Sequence, residues 1–499
     1  MKRRSLSSPW LVGIGQRLAG SVLLAALVAT APACDPASAG HNHNHHHDDD
    51  EVAPQAELTA LAKYVTTPDP AYTWKLRTTV TGTDYTTYFI DMTSQSWRSA
   101  AEVDRTVWKH DLMITVPKNR LPGPNILYIT GGSNGGTPPM TPSDTSLSLA
   151  RLVRAPVIEL KQVPNQPLTF ANHDGMPHTE DGIVAFSWLQ AMKTGDPNWS
   201  VRFPMVKSAV LAMDTAREFL YSKDGGNLPL DGFVVMGASK RGWTTWLTAA
   251  VDPRVVGCVP IVIDVLNVNK FMTQHIESYG FWALSLYDYY YNHITERIGT
   301  KEMNTLLQNE DPYFFRDSLK MPKYIVNATN DQFFLPDGSQ NYLADLQGEK
   351  MLRYVQNADH SLRGSDFLEG IAAFTDGLRR GRPRPSFTWS FEGEDTIRVK
   401  TQTAPKEVLL WQATNRSARD YRLETIGRAW TSTPLTDEGG GVYVAKVARP
   451  PAGFTAFFIE LAFPSDLAVP HKYSTQVRVT PDVRPFAGID PRTGKLEGL

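Results

Sequence analysis

Residues Leu230 to Gly242 read Leu-Asp-Gly-Phe-Val-Val-Met-Gly-Ala-Ser-Lys-Arg-Gly, and this stretch constrains the fold of the chain more than any other. A short apolar run, Phe233 to Met236, ends in Gly-x-Ser-x-x-Gly, and a helix-compatible stretch follows from Trp243 to Val251. Strand, sharp turn and helix, with a serine at the apex, make a nucleophile elbow, in which the turn lifts the hydroxyl clear of the sheet. Gly237 and Ala238 are small, as such a turn requires where backbone meets backbone. The usual pattern has glycine two residues after the serine; here Arg241 stands there and Gly242 follows. Read alone, the motif is equally compatible with a simple turn.

The order of the downstream strands and side chains decides between them. Lys323 to Ala328 reads as a buried strand with Asp331 just past its end, and Met351 to Val355 reads as another, with His360 in the loop after it. Serine, acid and histidine in that chain order, after successive strands, are the α/β-hydrolase arrangement. Upstream, the strand Asn125 to Thr130 empties into Gly131-Gly132-Ser133-Asn134-Gly135-Gly136. The predicted site is therefore Ser239 as nucleophile, His360 as proton carrier and Asp331 as the acid that orients the imidazole. The backbone N–H of Lys240, with one from Gly131 or Gly132, would form the oxyanion hole. Two further acids compete for the role of Asp331. Asp264 follows the strand Gly257 to Ile263 and reads better as a hydrogen-bond partner of loop backbone under a lid. Asp337 reads better as the start of a helix running toward Leu346.

At 499 residues the chain predicts two domains and a leader. A formal net charge of −2 leaves no electrostatic footprint for nucleic acid or a membrane surface. Lys2, Arg3 and Arg4 precede an apolar stretch from Leu18 to Ala31, so residues 1–39 read as an export signal. Two processing routes stay open: cleavage after Ala39, or cleavage before Cys34 with lipid added to that cysteine. Cys258, the second of two cysteines, lies in an apolar run and reads as a core residue. Residues 40–56 read as a solvated linker; within them His41 to Glu51 carries five imidazoles and four carboxylates that could loosely hold Zn²⁺ or Cu²⁺. No other His/Cys cluster has metal-ligand spacing, and no metal or cofactor is expected at the site.

Residues 57–385 are expected to form the hydrolase domain: a mostly parallel sheet with helices on both faces, opened by antiparallel strands at Tyr85 to Thr93 and Lys109 to Val116. Helices are expected from Gly182 to Met192 and from Met205 to Tyr221, with Glu180 and Asp181 as capping acids. Residues 267–319, helical in pattern and rich in tyrosine, read as a lid above the carboxyl ends of the strands. Short strands with turn signals over residues 386–480 predict a β-sandwich. Residues 481–499 read as a loose tail.

These motifs together resemble one family. Gly237-Ala238-Ser239-Lys240-Arg241-Gly242-Trp243-Thr244, continued by Val251-Asp252-Pro253-Arg254-Val255, is similar to the PhoPQ-activated pathogenicity-related proteins. So are Thr93-Ser94-Gln95-Ser96-Trp97-Arg98, Pro204-Met205, Ile261 to Asn267 and Arg419-Asp420-Tyr421-Arg422. The resemblance runs from about Leu58 to Thr480 and implies an exported α/β-hydrolase-like domain with a carboxyl-terminal β-sandwich. The sequence thus predicts an exported, periplasmic, secreted or lipid-anchored serine hydrolase acting on a small ester or peptide. Its partners would include no nucleic acid, and no membrane apart from a lipid anchor at Cys34. The alternative is a secreted binding or signalling protein on the same scaffold.

Overall fold

The computed structural model describes residues 59–499, so the leader, Cys34 and the His/Asp tract lie outside the described residues. Among the described residues nine strands form the central sheet. They are β1 Thr73–Thr81, β2 Tyr85–Ser96, β3 Val107–Pro117, β4 Asn125–Ile129, β5 Val157–Leu160, β6 Phe233–Ala238, β7 Val255–Ile261, β8 Lys323–Ala328 and β9 Lys350–Val355. Their spatial order is β1-β2-β3-β5-β4-β6-β7-β8-β9. The first three are joined by antiparallel pairing, and β5 through β9 run parallel. The exchange of β4 and β5 in an otherwise sequential parallel sheet is the α/β-hydrolase topology.

Parallel strands are covered on both faces, and β6 shows how its sequence serves both. Helix α1 spans Ala60–Thr66 and α2 Asp144–Val153. Phe233 and Val235 join one core with helices α3 Asp181–Thr194, α4 Arg202–Tyr221 and α5 Lys240–Val251. Val234 and Met236 point the other way, into a second core, with Leu149 and Val153 of a helix at Asp144–Val153 and Ile371 and Phe374 of another at Phe367–Arg379. Alternation with a period of two divides one strand between two cores. Two of the sequence motifs also meet in space: Gln95 donates to the Pro204 carbonyl at 2.8 Å, and the Ser94 hydroxyl lies 3.0 Å from that of Ser208. That fastens the antiparallel edge to α4.

Between β7 and β8 the chain forms helices at Val268–Tyr279, Tyr287–Tyr291 and Lys301–Glu310, joined by short 3₁₀ turns. After β9, two antiparallel sheets follow, one of three strands and one of five. Ile397, Val399 and Ala445 of the first share a core with Val408, Phe457 and Ile459 of the second, which makes a sandwich. The sandwich docks on the β9 edge: the Tyr354 N–H donates to Ser474 Oγ at 2.9 Å, and buried Arg353 pairs with Glu460 at 2.5 Å.

Two expectations need correction. The stretch after Asp337 is a single 3₁₀ turn, Gly338–Asn341, and not a helix reaching Leu346. The stretch expected to be a loose tail is docked on the segment between β7 and β8. Its Leu496 is buried and bridges Trp282, whose N–H donates to the Lys495 carbonyl at 2.7 Å, while Glu497 pairs with Arg422. A buried apolar residue and a paired acid outweigh the turn-rich composition that suggested a free end. Among the described residues no helix is long and apolar enough to cross a membrane.

Candidate active site

At the end of β6 the chain reverses through Ser239, which holds φ 58° and ψ −126° as the residue before α5. A non-glycine residue reaches that region only when its surroundings enforce it. Here the Ser239 N–H donates to the Ile261 carbonyl at 2.8 Å, and both flanking glycines are obligatory. A Cβ on Gly237 would lie 2.7 Å from the Arg241 carbonyl oxygen, and one on Gly242 would lie 2.9 Å from Ile263 and 3.0 Å from two carbonyl oxygens. The displaced glycine of the motif thus sits where the turn has no room.

Arg241 occupies the usual glycine position because its side chain has a place to go. A Cβ on Gly131 would stand 2.6 Å from its guanidinium, so the glycine loop after β4 is cut away to admit it. Arg241 donates two bonds of 2.6 Å to Glu180 and one of 2.5 Å to the Val163 carbonyl. Lys240, also buried, reaches Glu180 at 3.0 Å and Asp181 at 3.1 Å. Burial alone would raise the pKa of Glu180, yet Arg241 and Lys240 outweigh it and hold the carboxyl well below its usual range. Glu180 makes no side-chain cap on α3. The capping role expected of Glu180 is replaced by a bridge to the elbow, because two buried cations need anions nearer than solvent.

Asp331 follows β8 and His360 follows β9, on strands that pair directly. The Nδ1 of His360 lies 2.8 and 3.0 Å from the two carboxylate oxygens of Asp331, and the Phe333 N–H donates to Asp331 Oδ1 at 2.8 Å. The rings of Phe333 and Phe334 pack on His360, with centroids at 4.4 and 5.8 Å. The competing acids are otherwise engaged. Asp264 accepts from Tyr342 at 2.6 Å and Tyr354 at 2.5 Å, so its partners are phenols and not the expected loop backbone. Asp337 is held by Arg419 at 2.6 Å. Neighbours of the acid and the histidine are themselves tied to the sandwich: Asn330 donates to the Tyr421 carbonyl at 2.8 Å, and Asn357 to that of Trp430 at 2.9 Å.

Ser239 is only 7% exposed, and opens on an apolar cavity of about 50 Å³. Trp188, Trp243, Phe271, Leu286, Phe333 and Phe334 are among its walls, and Asp181, Arg202 and Lys240 supply polar edges. Residues 267–319 contribute much of the roof. Lys240 is the first residue of α5, where an N–H has no acceptor within the helix. Gly132 holds φ +137°, a backbone open to glycine.

Sequence reasoning missed two features here. One is the Glu180–Arg241 bridge; a bulky cation at the usual glycine position, facing Gly131, was the available signal. The other is His173, Asp174 and His178, whose candidate ligand atoms lie within 4.8 Å of one another, contrary to the expectation of no second cluster. Their separation of one and four residues in a turn-rich stretch matches no simple spacing rule.

The sequence profile of the PhoPQ-activated pathogenicity-related proteins matches residues 61–422. The chain is 35% identical over 457 residues to autocrine proliferation repressor protein A of Dictyostelium discoideum, covering 86% of this chain and 92% of that protein. Among solved structures, acetyl xylan esterase 1 from a Thermoanaerobacterium species shares 16% identity at a TM-score of 0.44, over 64% of this chain and 91% of the esterase. A glucuronoyl esterase from Solibacter usitatus shares 14% at 0.37, over 64% of this chain and 91% of that one.

Proposed function

The chain belongs to the PhoPQ-activated pathogenicity-related protein family, and we propose that it is a serine hydrolase cleaving an ester or peptide bond. One observation carries this reading. A serine in a strained elbow opens on a cavity whose Phe333–Phe334 wall also packs against a hydrogen-bonded His360–Asp331 pair. In this proposal Ser239 Oγ attacks the carbonyl carbon and His360 takes its proton. Asp331, bonded to Nδ1, fixes the tautomer that leaves Nε2 as the base. The developing oxyanion is held by the Lys240 N–H with one from Gly131 or Gly132, each such donor being worth about 10²–10³ in rate. The leaving group departs with the proton from His360, and water repeats the cycle to free the acid.

The substrate reading follows from the cavity. One water needs ~10–15 Å³ on the same measure, so about 50 Å³ admits a short acyl group or a small apolar side chain. The side chains of Lys240 and Arg241 are engaged by Glu180 and Asp181, which argues against their holding a substrate carboxylate. Action outside the cytoplasm is part of the same proposal and is supported by the basic and apolar leader.

The name of the Dictyostelium relative favours a second reading, a secreted signal on a hydrolase scaffold. A fluorophosphonate probe separates the two. Labelling of Ser239 in folded protein, with turnover of nitrophenyl acetate or butyrate, is the expected result. Failure to label, with no turnover of short esters or of a mixed peptide library, would favour the signalling reading.

A further inference from the structure

We propose that His173, Asp174 and His178 form a binding site for a divalent transition-metal ion of the zinc type. The three lie in the turn His173-Asp174-Gly175-Met176-Pro177-His178. Leu168 and His178 close its base by exchanging backbone hydrogen bonds of 3.0 and 2.8 Å. Two and three residues further on stand Glu180 and Asp181, the acids that hold the elbow cations.

Four observations converge on an ion here. One donor atom from each residue falls within 4.8 Å of the others. His178 Nε2 and Asp174 Oδ1 are already 2.8 Å apart. Bonds of ~2.0–2.2 Å place neighbouring donors of one metal about 3 Å apart, so this edge needs little adjustment. His173 is half-buried, and its Nε2 is covered from solvent with no hydrogen-bond partner, an arrangement that an ion bound at that nitrogen would relieve. The rings are held in place by aromatic neighbours, His173 on Phe186 at 4.4 Å and on His178 at 4.6 Å, and His178 on Phe170 at 6.3 Å.

The outer surroundings suit the same purpose. His178 Nδ1 and Asp288 Oδ1 lie 3.3 and 3.5 Å from the point where a Cβ of Gly182 would stand. The absent side chain leaves that space to the His178 ring and the Asp288 carboxylate. Two imidazoles and one carboxylate select Zn²⁺, Co²⁺ or Ni²⁺ over Ca²⁺ and Mg²⁺, which take oxygen ligands. An ion at this point would brace the turn that leads into Glu180 and α3.

The test compares the full chain with its His173→Ala and Asp174→Asn variants, so that the His41–Glu51 tract is present in every sample. Zinc per chain after dialysis and the thermal midpoint with and without zinc are measured. The parent is expected to retain one more zinc ion per chain than either variant. Zinc should also raise the parent's midpoint by about 3 °C, with no rise in the variants. Asp174→Asn preserves side-chain volume, so it carries the comparison if His173→Ala melts early without metal. Equal zinc content and equal midpoint shifts in parent and variants would overturn the proposal. A shift produced by calcium and not by zinc would overturn the class of ion.

Discussion

Ser239 and Glu180 share an unusual backbone, φ 58°, ψ −126° and φ 53°, ψ −121°, each immediately before a helix. Arg241 and Lys240 join the two strained points. Replacing Ser239 by alanine removes only the hydroxyl of a buried residue on the cavity wall, so turnover should vanish while the thermal midpoint stays within about 1–2 °C. An active Ser239→Ala variant would exclude the mechanism. Asp331→Asn should lower kcat by several orders of magnitude, as an amide presents the wrong hydrogen-bond pattern to Nδ1 (about 10⁴ in serine proteases). Asp264 gives a pH prediction. Burial lifts its carboxyl to about 7, with hydrogen bonds from Tyr342 and Tyr354 acting in the opposite direction. The folded protein then holds this proton more tightly than the unfolded chain, so the contribution is complete below about pH 4 and is lost as pH rises through about 7. Chemical denaturation of Asp264→Asn against the parent should show the difference moving in the variant's favour across that window. A constant difference would show that Asp264 does not titrate there.

At the scale of elements, the loops after β8 and β9 matter most, because they carry Asp331 and His360 and are anchored from the sandwich. The Arg419–Asp337 pair is almost wholly buried, and Arg419→Met would leave the Asp337 carboxylate without its main partner. Loss of about 3–5 kcal/mol is expected, measured by denaturant unfolding, together with a fall in kcat as the acid loop loosens. Full activity in a destabilised variant would separate the anchor from the chemistry. The strands themselves were legible in the sequence. Phe233 to Met236 and Lys323 to Ala328 are short apolar runs with turn signals, and chain order supplied their functions. The anchors were not legible, since Asn330 and Tyr421 lie 91 residues apart and nothing local in either marks the bond. Arg419 to Arg422 stood out only as part of a family pattern, and their contacts explain why a motif sits in a domain without candidate catalytic residues.

Across the whole molecule, the sheet, the segment over the cavity and the sandwich share one continuous apolar cluster, into which Leu496 also packs. Composition suggested a free end because the stretch is rich in proline, glycine and charge; a single leucine and Glu497 fasten it instead through long-range contacts. Leu496→Asp should therefore lower the thermal midpoint and raise KM for a butyrate ester, because Trp282 would lose its cover and the cavity roof its support. Unchanged KM would show that the roof stands without this contact. The docking also sets an order in time. Trp282 leaves the ribosome about 200 residues before the Lys495–Glu497 stretch that pins it. Until residues 495–497 have emerged, the segment beside Ser239 therefore lacks this brace.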